Sequence, residues 1–359
     1  MGSGNAVFQT KPFFPLRATP TRRPHVRANP ILRLPQGRTS ALILPMSLLF
    51  LSGTRSLARP RLLTGQASPP VFFLIPFLFA ISAELLAKEP YRPSLGPHLP
   101  SITARCGELT LMLRQSSQWT PGRIDYQGIP MTTEKSAYGS VFSFPGIGFI
   151  GTNHFENEPE VLTSLDFFLD DKPLKEPAAE LSGAHFRFVR ESRIRDFKMR
   201  CEITVQANRV FETTRVSTAK AAPLKLVYHF MHAWSPTVDA YLAGSDEAPE
   251  ETIAGRFLDS VEESRKFHVR KKVDWIAVRE PASGQFAVSR LLEAPDNAQN
   301  LSMIWNVPGT YRKYYLKCFD NYTVPAGFDG TWRMVTGFGV AGNDDWEPQA
   351  RALAAELAK

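Results

Sequence analysis

Only three cysteines occur in 359 residues, Cys106, Cys201 and Cys318, and no C-x-x-C pair is among them. The odd number and wide spacing exclude a disulfide framework or a thiolate zinc site as the organising feature. Cys201 falls on an inward strand position and reads as a buried thiol acting as a small apolar residue. Acidic residues are absent before Glu84, yet the same stretch carries ten basic ones, Lys11 and nine arginines between positions 17 and 61. Those ten exceed the formal net charge of +7, so the rest of the chain is slightly acidic. With no basic excess left outside that stretch, no basic face is expected to collect phosphates, and nucleic acid is not expected as a partner. The Gly-rich segment 146–160 lacks the Lys-Ser/Thr ending of a phosphate loop.

Residues 1–87 read as a disordered basic leader followed by a signal peptide. Positions 1–45 are rich in Pro and Arg and show no periodicity, so they cannot bury enough apolar surface to offset their ordering entropy. Met46 is read as the initiator. Arg55, Arg59 and Arg61 then precede an apolar run of 13 residues, 71–83. A positive segment before a short apolar core is the mark of a secretory signal. A spanning helix needs about 20 residues, and Pro76 and Glu84 also oppose a permanent span. Cleavage is expected after Ser82 or Ala87. The protein is therefore expected to be exported, periplasmic or extracellular. Membrane contact is expected only through this signal or an uncleaved N-terminal anchor.

Residues 88–104 read as an extended lead-in and 105–359 as a single domain. Helical periodicity is nearly missing from that domain, and a period of two replaces it. Met199, Cys201, Ile203 and Val205 point one way while Lys198, Arg200, Glu202, Thr204 and Gln206 point the other, as a strand with one buried face requires. Ala207-Asn208 is a turn, and 210–216 returns as the second strand of a hairpin. Further strands are expected at 109–113, 224–232, 267–278, 285–292, 301–307, 311–319 and 330–340. One helix is expected, 344–358, capped by Asn343 or Asp344, with Trp346, Ala350, Leu353, Ala354 and Leu357 as its apolar stripe. Many strands, one helix and no Pro/Gly/Ser-rich boundary point to an all-β fold, one large antiparallel β-sandwich with a short C-terminal helix.

The residues able to do chemistry are few. His229 and His232 lie three apart, which on a regular strand puts them on opposite faces. A shared metal would need a bulge, so no metal site is expected, and nothing calls for a cofactor. His232 is in phase with Leu224, Leu226, Tyr228 and Phe230. It reads equally as a hydrogen-bonded core histidine or as a site residue. His154 lies in a Gly-rich turn with Asn153, Glu156 and Glu158, where rim loops commonly carry function.

Three stretches in order resemble the galactose mutarotase-like (aldose 1-epimerase-like) superfamily. They are GELTLMLRQSSQWTPGRIDYQG at 107–128, KLVYHFMHAWSP at 225–236 and YYLKCFDNYTVPAGFDGTWRMVTGFGV at 314–340. The resemblance implies a large antiparallel sandwich that meets carbohydrate in a concave trough. His232 and Trp234 fit the strand carrying the family's histidine, which acts as general acid on the sugar ring oxygen. Where the family has its catalytic glutamate, this chain offers Lys317 or an uncharged neighbour. A lysine of ordinary pKa is protonated at pH 7 and cannot be that base. Asp320 could take the role only in a shifted register. The resemblance implies His232, His154 and Asp320 as catalytic candidates, and convergence of His232, Lys317 or Cys318, His154 and Arg312 in the trough. Ligand-binding candidates are Trp234, Trp305, Asn306, Tyr311, Arg312 and Lys317, because aromatic rings stack on the apolar face of a pyranose while polar groups bond its rim. The expected function is recognition of mono- or polysaccharide, with carbohydrate as the partner. One alternative is an enzyme on the same scaffold, an epimerase, polysaccharide lyase or glycoside hydrolase, pairing His232 with His154, Asp274 or Asp320. The other is a structural sandwich without a small ligand.

Overall fold

A computed structural model of the chain describes residues 95–135 and 139–359. The leader and signal expectations lie outside the described residues. In chain order the strands are β1 Ser101–Cys106, β2 Leu109–Arg114, β3 Thr120–Tyr126, β4 Ile129–Pro130, β5 Val141–Phe144, β6 Gly148–Gly151 and β7 Val161–Leu169. Next come β8 Lys172–Leu174, β9 Glu180–Gly183, β10 His185–Ile194, β11 Phe197–Gln206, β12 Arg209–Thr218, β13 Ala222–Trp234 and β14 Ala240–Ser245. The last are β15 Ala248–Arg256, β16 Phe267–Lys271, β17 Trp275–Glu280, β18 Gln285–Glu293, β19 Leu301–Val307, β20 Tyr311–Val324 and β21 Phe328–Val340, followed by the helix α1 Trp346–Glu356.

The strands form a ten-stranded sheet, β15-β14-β17-β18-β21-β12-β11-β10-β7-β8, and a six-stranded sheet, β16-β19-β20-β13-β5-β6. A five-stranded sheet, β4-β3-β2-β1-β9, accompanies them. Pairing is antiparallel except between β1 and β9. One apolar core joins all three sheets: Leu111 and Ile124 from the smallest, Phe186, Val205 and Met334 from the largest, Val227, Tyr314 and Leu316 from the six-stranded one. Each large apolar side chain so buried contributes about 1.5–3 kcal/mol. The fold is an all-β sandwich.

The β11–β12 hairpin follows the alternation of its sequence, with Lys198 and Arg200 exposed and Met199 and Val205 buried. Its two-residue turn, Ala207-Asn208, has both φ values positive, at 48° and 59°. That is the backbone whose twist matches the two strands. The segment 267–278, expected as one strand, is two. β16 pairs with β19 in the six-stranded sheet, and β17 pairs with β14 and β18 in the ten-stranded one. The first strand starts at Ser101, inside the expected lead-in, because Ile102, Ala104 and Cys106 already alternate into the core. Helix α1 lays Trp346, Ala350, Ala354, Leu357 and Leu353 on Ala277, Val288 and Val335 of the ten-stranded sheet. Asp345 precedes it and makes no side-chain capping bond.

Candidate functional site

Two irregularities in β13 decide which way its side chains point. The register with β20 shifts between Val227 and Tyr228 and again between His229 and His232. In the second, Phe230 takes a left-handed φ of 52°. Val227, His229 and Trp234 therefore face the core, while Tyr228, Met231 and Ala233 form a separate cluster on the other face of the sheet. The bulge puts His229 and His232 on the same side, contrary to a regular strand. Among the described residues no group of three metal-ligating side chains is found.

His232 lies sealed between the sheets at 0% exposure. Its Nε2 donates to Glu212 Oε2 at 2.7 Å, across from β13 to β12. Ser289 Oγ is 3.4 Å from Nδ1 and 2.8 Å from Thr336 Oγ1. The Trp234 and Tyr314 rings stand 5.4 and 5.5 Å away. Nearby, Arg190 and Glu160 form a buried ion pair of 2.7 Å. Ser192 donates to Glu160 at 2.5 Å, and Arg190 Nε donates to the Gln118 carbonyl at 2.9 Å. Burial alone would lower the pKa of Arg190, but the Glu160 carboxylate outweighs it and raises that pKa. Burial pushes the Cys201 thiol up. Burial also holds His229 at about 3, so it is neutral at any ordinary pH, with Nδ1 2.8 Å from Ser140 Oγ. The cavity beside Glu212, lined also by Ser140, Arg190, Cys201 and Thr214, is about 30 Å³. That is room for about one water, an order of magnitude below the ≈ 300–1,000 Å³ of ligand pockets. His232 and Glu212 are thus paired as an acid and base could be, but His232 is fully buried and the cavity beside Glu212 is too small for a sugar.

The other expected residues divide between the two faces of the six-stranded sheet and its edge. Arg312 points to the same side as His232 but is buried, with its donors occupied. It donates to Asp259 at 2.6 Å, Asn306 Oδ1 at 2.7 Å, and the carbonyls of Val238 and Pro236 at 3.0 and 2.7 Å. Asn306, 0% exposed, donates to the Leu258 carbonyl. This cluster pins segments 235–239 and 257–259 to the sheet; it is not an open rim. Trp234 is also buried. His154 sits beyond the edge strand β6, 2.9 Å from Glu156 and stacked on Phe149 at 5.1 Å. Lys317 and Asp320 form an ion pair of 2.7 Å. The catalytic candidates His232 and Asp320 are not brought to one cleft: the register shift opposite Val227 and Tyr228 turns both Cys318 and Phe319 into the core, which leaves Asp320 paired with Lys317 on the other side.

The face turned away from the core carries what periodicity alone had left unassembled. On β20, Tyr314, Leu316 and Cys318 enter the core, so Tyr311, Lys313, Tyr315 and Lys317 lie on the other side. In register, Trp305 is opposite both Lys313 and Phe267, and Leu301 opposite Lys317. The Tyr228 and Tyr315 rings are 4.8 Å apart, and Lys313 Nζ lies 4.8 and 5.0 Å from their centroids. Burial lowers the Lys313 pKa to about 8. Phe267 packs on Trp305 at 6.1 Å, and Trp305 Nε1 donates to the Ser264 carbonyl at 2.7 Å. Tyr228 and Tyr315 are buried, Trp305 and Tyr311 half-buried and Phe267 exposed, so this stripe opens towards β16. Trp305, Tyr311 and Lys317 share this face, with Lys317 at the far end opposite Leu301 and paired with Asp320. Lys313, Tyr228 and Phe267 were missed, although the alternation of Lys and Tyr in YRKYYLK was a legible signal.

No protein-family model matches the chain, and no curated protein matches it. Solved structures do. The chain is similar to a galactose mutarotase-like protein from Lactobacillus casei, at 8% identity and a TM-score of 0.41, over 67% of this chain and 100% of that one. It is similar to the aldose epimerase homologue of C. elegans, at 10% identity and 0.40, over 67% and 99%. It is also similar to an α-galactosidase of Geobacillus stearothermophilus, at 11% identity and 0.40, over 70% and 41%. Galactose mutarotase-like sandwiches are what this chain is similar to.

Proposed function

We propose that this is an exported carbohydrate-binding sandwich, and that sugar rests on the outer face of the six-stranded sheet at its Trp305–Phe267 end. The observation that carries this reading is the stripe of Tyr228, Tyr315, Lys313, Tyr311, Trp305 and Phe267, drawn from four neighbouring strands. A pyranose has an apolar C–H face and a polar rim. Aromatic rings supply a surface for the first, and ammonium groups such as Lys313 donate to the second. The sequence resemblance to mutarotase-like proteins supports the same partner. Export rests on the signal-like segment 71–83. The test is a glycan array carrying neutral and acidic glycans, read with the wild type and with Trp305→Ala. The wild type should bind a subset of glycans, and the variant should bind them about fivefold more weakly, as loss of one stacking ring of about 1 kcal/mol implies. Failure of the wild type to bind any glycan overturns the reading.

A further inference from the structure

A second surface lies on the solvent side of the ten-stranded sheet, where β10, β11 and β12 run side by side. A groove of about 530 Å³ is lined there by Arg193, Lys198, Arg200, Arg215, Glu191 and Thr163, with neighbours. The register makes it unusual. Arg193 stands directly opposite Lys198, and Arg200 directly opposite Arg215. Like charges facing each other across adjacent strands destabilise a sheet, and here two such pairs occur side by side. Three carboxylates relieve part of this. Arg200 meets Glu202 at 2.8 Å and Glu191 at 3.7 Å, and Arg215 is bonded by Asp329. Among the described residues the side chains of Arg193 and Lys198 make no ion pair or hydrogen bond, while their backbones pair in the ladder. All four cations are exposed. They are spaced about 5 Å across the strands and about 7 Å along them, a two-dimensional array for oxyanions and not a single point charge.

We propose that this groove binds the sulfate or carboxylate groups of an acidic polysaccharide, so that the protein holds such a chain at a place separate from the aromatic stripe. The anion chemistry stands on the groove alone; that the anion belongs to a sugar rests on the carbohydrate reading above. The guanidinium of Arg193 takes an oxyanion through two N–H groups, Lys198 adds a second contact opposite, and the bound charge relieves the repulsion within the Arg193–Lys198 pair.

The test titrates dextran sulfate, uncharged dextran and a single-stranded DNA oligonucleotide of equal charge into the full chain. It is repeated with Arg193→Ala/Lys198→Ala and with Trp305→Ala. Dextran sulfate should bind the wild type, with affinity falling as salt rises. The double variant should bind about tenfold or more weakly, while keeping or raising its melting temperature because a like-charge pair is gone. Trp305→Ala should leave dextran sulfate binding unchanged, which separates this site from the stripe even if no neutral glycan binds there. Equal binding by the double variant overturns the site. Binding of DNA as tight as that of dextran sulfate overturns the sugar class.

Discussion

At the scale of single residues, burial decides what the histidines can do. His232 spends its Nε2 hydrogen on Glu212, which lines a cavity of about 30 Å³, space for about one water. Its loss leaves a buried carboxylate short of a partner. His232→Ala is expected to cost about 1–3 kcal/mol in urea unfolding and to leave glycan binding unchanged. Selective loss of glycan binding with stability intact would return His232 to the site. His229 makes a second, pH-dependent contribution. Its folded pKa of about 3 lies below the ordinary 6.5, so between those values the unfolded chain binds a proton that the folded chain refuses. The stability this residue permits is full above about pH 6.5 and is lost as pH falls, at about 1.4 kcal/mol per pH unit. Carboxylates titrate over the same range, so the measurement is the difference between wild type and His229→Gln. The variant should show the shallower loss between pH 6 and 4. Identical pH profiles would contradict the burial account of His229.

At the scale of elements, turn chemistry and bulges carry the information that alternation does not. Ala207 holds a φ of 48° in the β11–β12 turn, a conformation costing a non-glycine residue roughly 1–2 kcal/mol. Ala207→Gly removes that cost but adds chain entropy to the unfolded state, for a net gain of about 0.5–1 kcal/mol. A denaturation midpoint that falls in this variant would contradict the turn assignment. This hairpin was legible because ten residues alternate without interruption and an Asn closes the turn. The path of β13 was not. Nothing in the sequence announces that Phe230, a bulky aromatic, adopts a left-handed backbone, so simple parity set His232 in phase with Tyr228, equally a core histidine or a site residue. Two register shifts instead send them to opposite sides. Likewise Lys272-Val273-Asp274 contains no Gly or Pro, so the crossing between sheets that divides β16 from β17 left no turn signal. Among the site candidates, Arg312 and Asn306 read as a recognition pair. Both prove to be fastened to each other and to loop carbonyls.

At the scale of the whole molecule, the sandwich presents two chemically different faces around one apolar core. The six-stranded sheet carries aromatic rings and lysines on its face away from the core, buried at Tyr228 and Tyr315 and exposed at Phe267, and the ten-stranded sheet turns an array of cations outward. Of the interior polar groups, His232 with Glu212 ties the six-stranded sheet to the ten-stranded one, while Arg190 with Glu160 joins β10 to the start of β7 within the ten-stranded sheet. Breaking a buried ion pair such as the second costs about 3–5 kcal/mol, which is a structural role. All-β architecture, antiparallel order and the C-terminal helix were readable from periodicity, since they follow from where apolar residues recur. Which face meets a ligand was not, since that depends on single-residue register. The central claim is that sugar is received on the outer face of the six-stranded sheet and not between the sheets. Calorimetric titration of the strongest array glycan into Trp305→Ala and His232→Ala, beside the wild type, tests it most directly. Affinity should drop about fivefold in Trp305→Ala and hold in folded His232→Ala; the opposite pattern would contradict the account.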